Sequence, residues 1–258
     1  MRRRFREARC EPGEATEETK IRSGRTIAMI HKITLLAAAA MVGAAILSAP
    51  AAARDIRIAT EGAYPPFNSK NAKGELVGFD VDLARAICAY MKAKCTLVAQ
   101  DWDGIIPGLL AKKYDLIVAS MSITGERKKK VAFSTPYYSN YLQFVAKKGS
   151  GFKPTADGFK GKTLGAQRAT VSSQYLEDNY RKVAKIKVYD KQTAAWLDLK
   201  AGRVDAILSD LLPSYDWVEK NKGFEMAGGQ ISNEDKIGIA ARKDDAELLA
   251  RVNAAILA

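Results

Sequence analysis

Two serines and an arginine follow an apolar segment of this sequence at a spacing that suits the binding of a carboxylate. Residues 116–127 read L-I-V-A-S-M-S-I-T-G-E-R, so Ser120 and Ser122 end a strand-like run and Arg127 follows a short turn later. Arginine offers two parallel N–H donors to a carboxylate, and a hydroxyl can donate to the acid or accept from a neighbouring ammonium. Ligands of open α/β sheets lie outside the carboxyl ends of strands. The segment therefore indicates an amino-acid site; the alternative is a buried strand entering a polar loop, with Arg127 a surface charge.

An internal repeat places a second polar residue at a strand end. Residues 109–117 and 199–207 share the pattern L-x-A-x-[KR]-x-D-x-I. Five residues beyond the shared aspartate lie Ser120 in the first copy and Asp210 in the second. Two α/β units that face each other would form a cleft, with a carboxylate opposite the serines and the arginine. That arrangement matches the two ends of an α-amino acid; the alternative is chance similarity between two helix–strand turns.

Three further side chains lie at predicted strand ends or junctions. Glu61 and Tyr64 occupy a loop whose two prolines forbid regular structure, directly after a strand at 55–60. Trp102 precedes a predicted helix. These positions favour a carboxylate and two aromatic faces at the site. The alternatives are a solvated Glu61, a packing role for Tyr64 and a core position for Trp102.

The elements that would position these residues alternate between strands and helices, which predicts parallel sheets in an α/β fold. Asp80 or Asp82 is expected to cap the first helix. Predicted strands are 55–60, 95–99, 114–121, 141–147, 163–166, 186–189 and 205–208, and predicted helices are 80–92, 104–112, 172–183, 193–200 and 246–257.

Residues 1–53 are predicted to be a leader that the mature protein lacks. An unbroken apolar run at 33–47 follows a short basic segment, and small residues in an A-x-A arrangement precede Arg54. This pattern is typical of a secretory signal peptide cleaved near Ala53 and Arg54, and the run is short for a membrane span. The alternative is an uncleaved anchor. We expect a soluble, periplasmic protein, with Met29 as a second candidate start.

Removal of the leader limits the chemistry available to the mature chain. The whole chain carries a net charge of +12, and residues 1–53 hold nine of its 41 basic and five of its 29 acidic residues, which leaves +8. The single histidine, His31, also lies in the leader. Without an imidazole, the commonest catalytic and metal sites are excluded, so we expect no catalytic residues, metal or cofactor. The basic residues are scattered among acids, which argues against nucleic acid as a partner.

Cys88 and Cys95 form an even pair once Cys10 is removed with the leader. An even number of cysteines in an oxidising compartment predicts a disulfide. The alternative is two buried thiols.

Four motifs in order resemble the periplasmic binding proteins for polar amino acids, solute-binding protein family 3, which serve ABC importers. They are I-R-I-A-T-E-G-A-Y-P-P-F (56–67), G-E-L-V-G-F-D-V-D-L-A (74–84), S-M-S-I-T-G-E-R (120–127) and F-S-T-P-Y-Y (133–138). The similarity is greatest to members that take lysine, arginine, ornithine, histidine or opines, which also carry a cysteine pair at the places of Cys88 and Cys95.

The resemblance implies roles for individual residues. Arg127 would bind the α-carboxylate with Ser122 and the backbone N–H of Thr170, and Asp210 with Ser120 would receive the α-ammonium. A distal cationic group would meet an acid between two aromatic faces, which favours arginine or an arginine-derived opine. Ala119 stands where relatives often place another serine. The expected substrate-binding residues are Glu61, Tyr64, Trp102, Ala119, Ser120, Ser122, Arg127, Thr170, Ser172 and Asp210.

The resemblance also implies an architecture and partners. We expect a type II periplasmic binding fold of two lobes, each a mainly parallel sheet flanked by helices, with lobe I at 54–140 plus 236–258 and lobe II at 141–235. The ligand would bind between the lobes of a monomer that delivers it to a membrane permease. Relatives continue beyond the position of Ala258, so a segment of lobe I is expected to be missing. The alternative function is an exported dehydratase, of the cyclohexadienyl or arogenate type, on the same fold.

Overall fold

A computed structural model describes residues 55–232 and 234–258. The predicted signal peptide, its cleavage point, Met29 and the predicted anchor alternative lie outside the described residues. Within them, no helix is long and apolar enough to cross a membrane. The same residues contain no group of three or more side chains arranged to hold a metal ion.

The strands of the described chain are mostly short and end in polar loops. They are β1 (Ile56–Thr60), β2 (Ala63–Tyr64), β3 (Asn68–Lys70), β4 (Leu76–Val77), β5 (Cys95–Ala99), β6 (Leu116–Ile117), β7 (Ala132–Phe133), β8 (Tyr138–Ser139), β9 (Leu142–Lys147), β10 (Thr163–Gln167), β11 (Lys185–Tyr189), β12 (Ala206–Asp210), β13 (Phe224–Ile231), β14 (Lys236–Ile237) and β15 (Ala240–Ala241).

The helices alternate with these strands. They are α1 (Phe79–Tyr90), α2 (Ile105–Leu110), α3 (Gly125–Lys130), α4 (Val171–Tyr180), α5 (Gln192–Lys200), α6 (Leu211–Lys220) and α7 (Ala246–Ile256), with a 3₁₀ turn at Trp102–Gly104 before α2.

Two five-stranded sheets carry the fold. The first has the order β5-β1-β6-β15-β7; β1 runs parallel to β5 and β6, and β15 runs antiparallel to β6 and β7. The second has the order β11-β10-β12-β9-β13; β10 runs parallel to β11 and β12, and β9 opposes β12 and β13. Four strands of each sheet therefore share a direction, which confirms the predicted mainly parallel α/β fold.

Helices cover both faces of each sheet. On the first sheet, α1 and α7 cover one apolar face and α2 covers the other. On the second sheet, α4 covers one face and α5 covers the other. Each layer removes apolar surface from water, the main driving force for folding. Members of the four layers are Ile58, Ile87 and Val252; Ala59, Ile105 and Leu109; Phe144, Leu164 and Leu176; and Val145, Trp196 and Leu199.

The internal repeat corresponds to two equivalent helix ends. After α2 and after α5 the chain enters the left-handed region, at Lys112 (φ 59°) and Gly202 (φ 71°). The N–H of the following residue bonds back five residues, from Lys113 to the Gly108 carbonyl at 3.0 Å and from Arg203 to the Asp198 carbonyl at 2.9 Å. This pattern is a Schellman motif, which satisfies the last carbonyls of a helix.

The aspartate shared by the two repeats joins neighbouring strands. Asp115 accepts a hydrogen bond from the backbone N–H of Arg57 at 2.9 Å, at the start of β1. Asp205 accepts in the same way from the N–H of Thr163 at 2.8 Å, at the start of β10. The repeat therefore reflects one structural unit used twice, as the pattern predicts, and chance similarity does not account for it.

Several predicted elements differ from those in the structure. The strand predicted at 114–121 pairs only at β6, and Ser120 beyond it has a φ of 48°, outside the range of a strand. The predicted cap of α1 is wrong: Gly78 is the N-cap residue and no side chain caps the helix. Asp80 is buried within the first turn and accepts from other residues, and Asp82 is exposed.

A disulfide joins Cys88 in α1 to Cys95 at the start of β5. The prediction of a disulfide is confirmed, and the two-thiol alternative is excluded. The bridge closes a loop with a sequence separation of seven residues on the face of the first sheet that α1 covers.

Candidate functional site

A narrow cavity, partly open to solvent, lies where strands of both sheets end; the space free of protein atoms there is about 310 Å³, open solvent included. β1, β10 and β12 run into it at their carboxyl ends, as does the segment after β6, the position that ligands favour in open α/β sheets. Its lining residues are Glu61, Tyr64, Trp102, Ala119, Ser120, Ser122, Arg127, Gln167, Thr170, Val171 and Asp210. The structure therefore brings together nine of the ten residues predicted from the sequence.

Arg127 lies in the short helix α3, whose first turn is fixed by the Thr124 hydroxyl accepting from the Arg127 N–H at 3.2 Å. Its guanidinium donates to the backbone carbonyls of Ser122 at 2.9 Å and Ala169 at 3.1 Å. The guanidinium carbon lies 5.2 Å from the centre of the Trp102 ring, within cation–π range. Burial lowers the pKa of Arg127, opposed by nearby carboxylates. With only two of five N–H donors bonded here, the group retains donors for an anion.

Ser120 and Ser122 both direct their hydroxyl protons away from the cavity. Ser120 donates to the Asp80 carboxylate at 3.0 Å, and Ser122 donates to the Asp235 carboxylate at 2.9 Å. Each serine oxygen therefore has lone pairs to offer to a donor in the cavity. The positive φ of Ser120 costs a non-glycine residue about 1 kcal/mol.

Asp210 ends β12 and is 9% exposed. It accepts hydrogen bonds from the Tyr64 hydroxyl at 2.7 Å and from the Asn140 amide at 2.8 Å. Burial raises the pKa of Asp210 to about 6, while the bonds from Tyr64 and Asn140 oppose the rise. A cation placed beside this carboxylate would stabilise its ionised form.

Glu61 forms the other acidic group of the cavity. It is 6% exposed and accepts from the Gln167 amide at 2.6 Å. Burial raises the pKa of Glu61 to about 7; the Gln167 bond and the charge of Lys191 lower it, and Asp101 and Asp103 raise it. A buried carboxylate with so high a pKa favours a cationic partner that would let it ionise.

Thr170 and Ser172 differ in how they relate to the cavity. Thr170 lines it and caps α4 in a capping box with Ser173, in which the Thr170 N–H donates to the Ser173 hydroxyl at 3.2 Å. The N–H expected to face a ligand is bonded within the helix cap in this structure. Ser172 is buried at the start of α4 and is not among the lining residues. Their roles in binding stay predictions.

Sequence reasoning missed several residues of the site. Gln167 ends β10, and the strand-end rule that singled out Ser120 would have found it. Val171 also lines the cavity. Asn140 donates to Asp210 and also to Asp235 at 3.0 Å, so one amide bridges Asp210 and the acid that accepts from Ser122. That bond joins residues 95 positions apart, so no local sequence pattern could predict it.

The lining of the cavity includes one guanidinium, two buried carboxylates and two aromatic side chains. Such a site can pair with a molecule that has one negative and two positive groups. The sequence profile of the bacterial extracellular solute-binding proteins, family 3, matches residues 56–258. The chain belongs to this family.

Individual relatives agree with the family. The chain is 39% identical over 235 residues to the lysine/arginine/ornithine-binding periplasmic protein of Escherichia coli, covering 87% of this chain and 90% of that protein. It is 39% identical over 230 residues to the octopine-binding periplasmic protein of Rhizobium meliloti, covering 78% of each chain. Among solved structures, an ancestral arginine-binding protein bound to arginine has a TM-score of 0.75 and 39% identity, over 80% of this chain and 92% of that one.

These comparisons confirm the fold class and the family predicted from the sequence. The relatives are binding proteins rather than enzymes, so the solute-binding prediction is supported and the dehydratase alternative is not. Relatives named as periplasmic also agree with the predicted compartment.

Proposed function

We propose that this solute-binding protein holds a basic amino acid, arginine above all, or an arginine-derived opine in the cavity and delivers it to an ABC permease. The observation that carries the proposal is that Arg127, Asp210 and Glu61 line one cavity. A basic amino acid carries one carboxylate and two cationic groups, so the three side chains balance its charges one for one. A charge taken out of water is tolerated only when it is paired.

The three charged groups define two ends of the ligand. Arg127 meets the α-carboxylate with its unused donors, and Asp210 with Ser120 and Ser122 accepts from the α-ammonium. The hydroxyl directions support acceptor roles for both serines, because their protons go to Asp80 and Asp235. We therefore assign Ser122 to the ammonium rather than to the carboxylate.

Glu61 meets the distal cationic group of the ligand. A planar guanidinium suits the aromatic lining and the carboxylate–amide pair of Glu61 and Gln167 better than a compact ammonium does. Tyr64 and Trp102 supply the aromatic surface, and Trp102 already stacks against Arg127 on one side. Relatives named for arginine, lysine, ornithine and octopine support this class of ligand.

The delivery step rests on a hinged pair of lobes. The chain passes from one sheet to the other near residues 138–142 and again near 231–237. The two sheets therefore support lobes at 54–140 plus 236–258 and at 141–235. Ligand binding favours the closed arrangement, which the permease recognises. The protein acts as a monomer in the periplasm after cleavage near Ala53 and Arg54.

A thermal-shift screen followed by calorimetric titration tests the proposal. Purified residues 54–258 are mixed with arginine, lysine, ornithine, histidine and octopine, and with glutamate as the acidic control. We expect the largest rise in melting temperature with arginine or octopine, and none with glutamate. Equal responses to glutamate and arginine, or no response to any basic ligand, would overturn the proposal.

A further inference from the structure

Asp80 is a fully buried carboxylate with three side-chain donors and no ion pair among the residues that the structure describes. It accepts from the Asn68 amide at 2.8 Å, the Ser120 hydroxyl at 3.0 Å and the Tyr137 hydroxyl at 2.9 Å. Burial raises the pKa of Asp80, and the three donors oppose the rise. It does not line the cavity, so a direct ligand contact does not explain a charge kept at this depth.

The backbone around Asp80 is tightly fixed. Its N–H donates to the Phe67 carbonyl at 2.8 Å. Gly78, the N-cap residue of α1, has a φ of 119°, and a Cβ there would lie 2.5 Å from the Phe67 oxygen. The first turn of α1 is thus held directly against the loop that follows Tyr64. A carboxylate on that turn has a defined position from which to orient its neighbours.

One of those neighbours is a lining residue of the cavity. The Ser120 proton is committed to Asp80, so its oxygen faces the cavity as an acceptor. An ionised acceptor also strengthens the hydrogen bond and increases the negative character of the serine oxygen. Without Asp80 the hydroxyl would rotate and could present its proton instead. A donor facing an ammonium is repelled by it.

A second connection leads from Asp80 to the opposite end of the cavity. Asn68 donates to Asp80 with its amide nitrogen and accepts with its oxygen from the Gly62 N–H at 2.8 Å. Gly62 directly follows Glu61 and has a φ of 74°, in the left-handed region. Asn68 therefore fixes the turn that aims the Glu61 side chain.

We propose that Asp80 is a positioning residue for ligand selectivity: it holds Ser120 as an acceptor for an α-ammonium and, through Asn68, holds the turn that carries Glu61. The inference rests on the function proposed above, and it adds a residue that touches neither the ligand nor the cavity. Its signature is a loss of selectivity between related ligands rather than a uniform loss of binding.

The test compares two ligands on matched variants by calorimetric titration. Arginine is compared with 5-guanidinopentanoate, which is arginine without its α-amino group. Asp80→Ala should weaken the binding of arginine about tenfold more than the binding of 5-guanidinopentanoate, as expected for a hydrogen bond to a charged group. Ser120→Ala should reduce the preference for arginine over 5-guanidinopentanoate by the same factor. The double variant should reduce this preference no further than Ser120→Ala alone, because both changes remove one interaction with the α-ammonium.

Three controls separate positioning from general destabilisation. Tyr137→Phe removes one donor to Asp80 and leaves the bond from the Ser120 hydroxyl to Asp80 in place, so the arginine preference should survive. Asp198→Asn changes a carboxylate that is paired with Lys187 and Arg203 and does not line the cavity, and it should leave the affinity for both ligands unchanged. Asn68→Ala should keep the preference for an α-amino group but reduce discrimination of arginine from neutral citrulline.

The outcomes are decisive in each direction. Equal losses of affinity for both ligands in Asp80→Ala would overturn the inference. So would a double variant whose loss of arginine preference equals the sum of the losses in the two single variants. If Asp80→Ala does not fold, Asn68→Ala decides, and unchanged discrimination against citrulline would overturn it. Failure of the wild-type protein to bind any basic amino acid would instead reject the proposed function itself.

Discussion

Arg127 is the single cation among the lining residues of the cavity. Its guanidinium is already oriented by the carbonyls of Ser122 and Ala169, so little conformational entropy remains to be lost when it binds an anion. We expect Arg127→Ala to reduce arginine affinity by at least about a hundredfold, because a buried carboxylate would be left unpaired. Titration calorimetry measures the change.

The neighbouring residue supplies a matched control for Arg127. Lys128 lies in the same helix but is exposed and does not line the cavity. Lys128→Ala should bind arginine with unchanged affinity. A comparable loss in both variants would show that α3, rather than the guanidinium, is responsible.

Glu61 should make arginine binding release protons. In the free protein its pKa is raised to about 7 by burial, so about half of the molecules carry the proton at that pH. A cationic ligand favours the ionised carboxylate, so its pKa falls on binding and the proton leaves. Affinity should therefore fall as the pH is lowered through 7, and calorimetry in buffers of different ionisation enthalpy should show release of up to about half a proton at that pH.

Glu61→Gln isolates this effect. The variant should lose affinity for cationic side chains and no longer release the proton near neutral pH. Glu225→Gln, at an exposed position of β13, serves as the control and should behave as wild type. Proton uptake by the wild type, or undiminished release by Glu61→Gln, would contradict the assignment.

The paired Schellman motifs after α2 and α5 allow a matched stability test. Gly202 occupies the left-handed position without strain, and a Cβ there would meet nothing within 4 Å. Gly202→Ala should lower the free energy of unfolding by about 1 kcal/mol, through backbone conformation alone. Lys112→Gly, at the equivalent position, should cause no loss and a gain of up to about 1 kcal/mol. Urea denaturation measures both, and a gain from Gly202→Ala would refute the equivalence.

The disulfide between α1 and β5 should stabilise the first sheet without affecting ligand binding. Closing a loop of this length removes entropy from the unfolded chain worth about 2 kcal/mol. The double change Cys88→Ser and Cys95→Ser should lower the free energy of unfolding by about that amount. Arginine affinity should not change, because neither cysteine lines the cavity. A large loss of affinity would indicate that the bridge also shapes the site.

Sequence patterns predicted most of the sheet strands and the helices that cover them, and missed α3 and α6. α3 reads G-E-R-K-K-K and buries none of its residues, so hydrophobic periodicity could not reveal it; its signal is the capping residue Thr124. α6 follows β12 without any loop, since Asp210 is both the last strand residue and the helix N-cap. Boundaries of this kind are set by tertiary pairing rather than by local composition.

Ion pairs around the cavity connect segments of the two sheets. Arg168 lies 3.4 Å from Asp103, and Lys191 lies 3.2 Å from Asp101. Arg168 and Lys191 follow strands of the second sheet, and both aspartates follow β5 of the first. All four side chains are about half exposed or more, so each pair contributes little and is weakened by salt.

These pairs predict a salt dependence of ligand affinity. The double variant Arg168→Ala and Lys191→Ala should bind arginine about threefold more weakly at low salt, with a faster dissociation rate. The difference should shrink in high sodium chloride. Lys94→Ala, which breaks a pair with Asp55 within the first sheet, is the control and should leave affinity unchanged. Salt-independent loss in the double variant would point to a direct effect on Glu61 instead.

At the scale of the whole molecule, the sequence indicated the direct lining of the site but not its support. Glu61, Ser120 and Asp210 each follow or end a strand, so a local rule finds them. Asp80, Asn140 and Asp235 act through bonds that span 40 to 113 positions, and only the folded chain brings them to the serines. Support of this kind depends on the packing of distant segments.

The position of Trp102 in the lining of the cavity has a practical consequence. Trp102 is the one tryptophan in the cavity lining; Trp196 and Trp217, the other two in the chain, stack on each other with ring centres 4.7 Å apart. Fluorescence of the first should therefore respond to occupancy, while the stacked pair supplies a constant background. The protein thus carries its own optical probe of solute capture, with no dye or label attached.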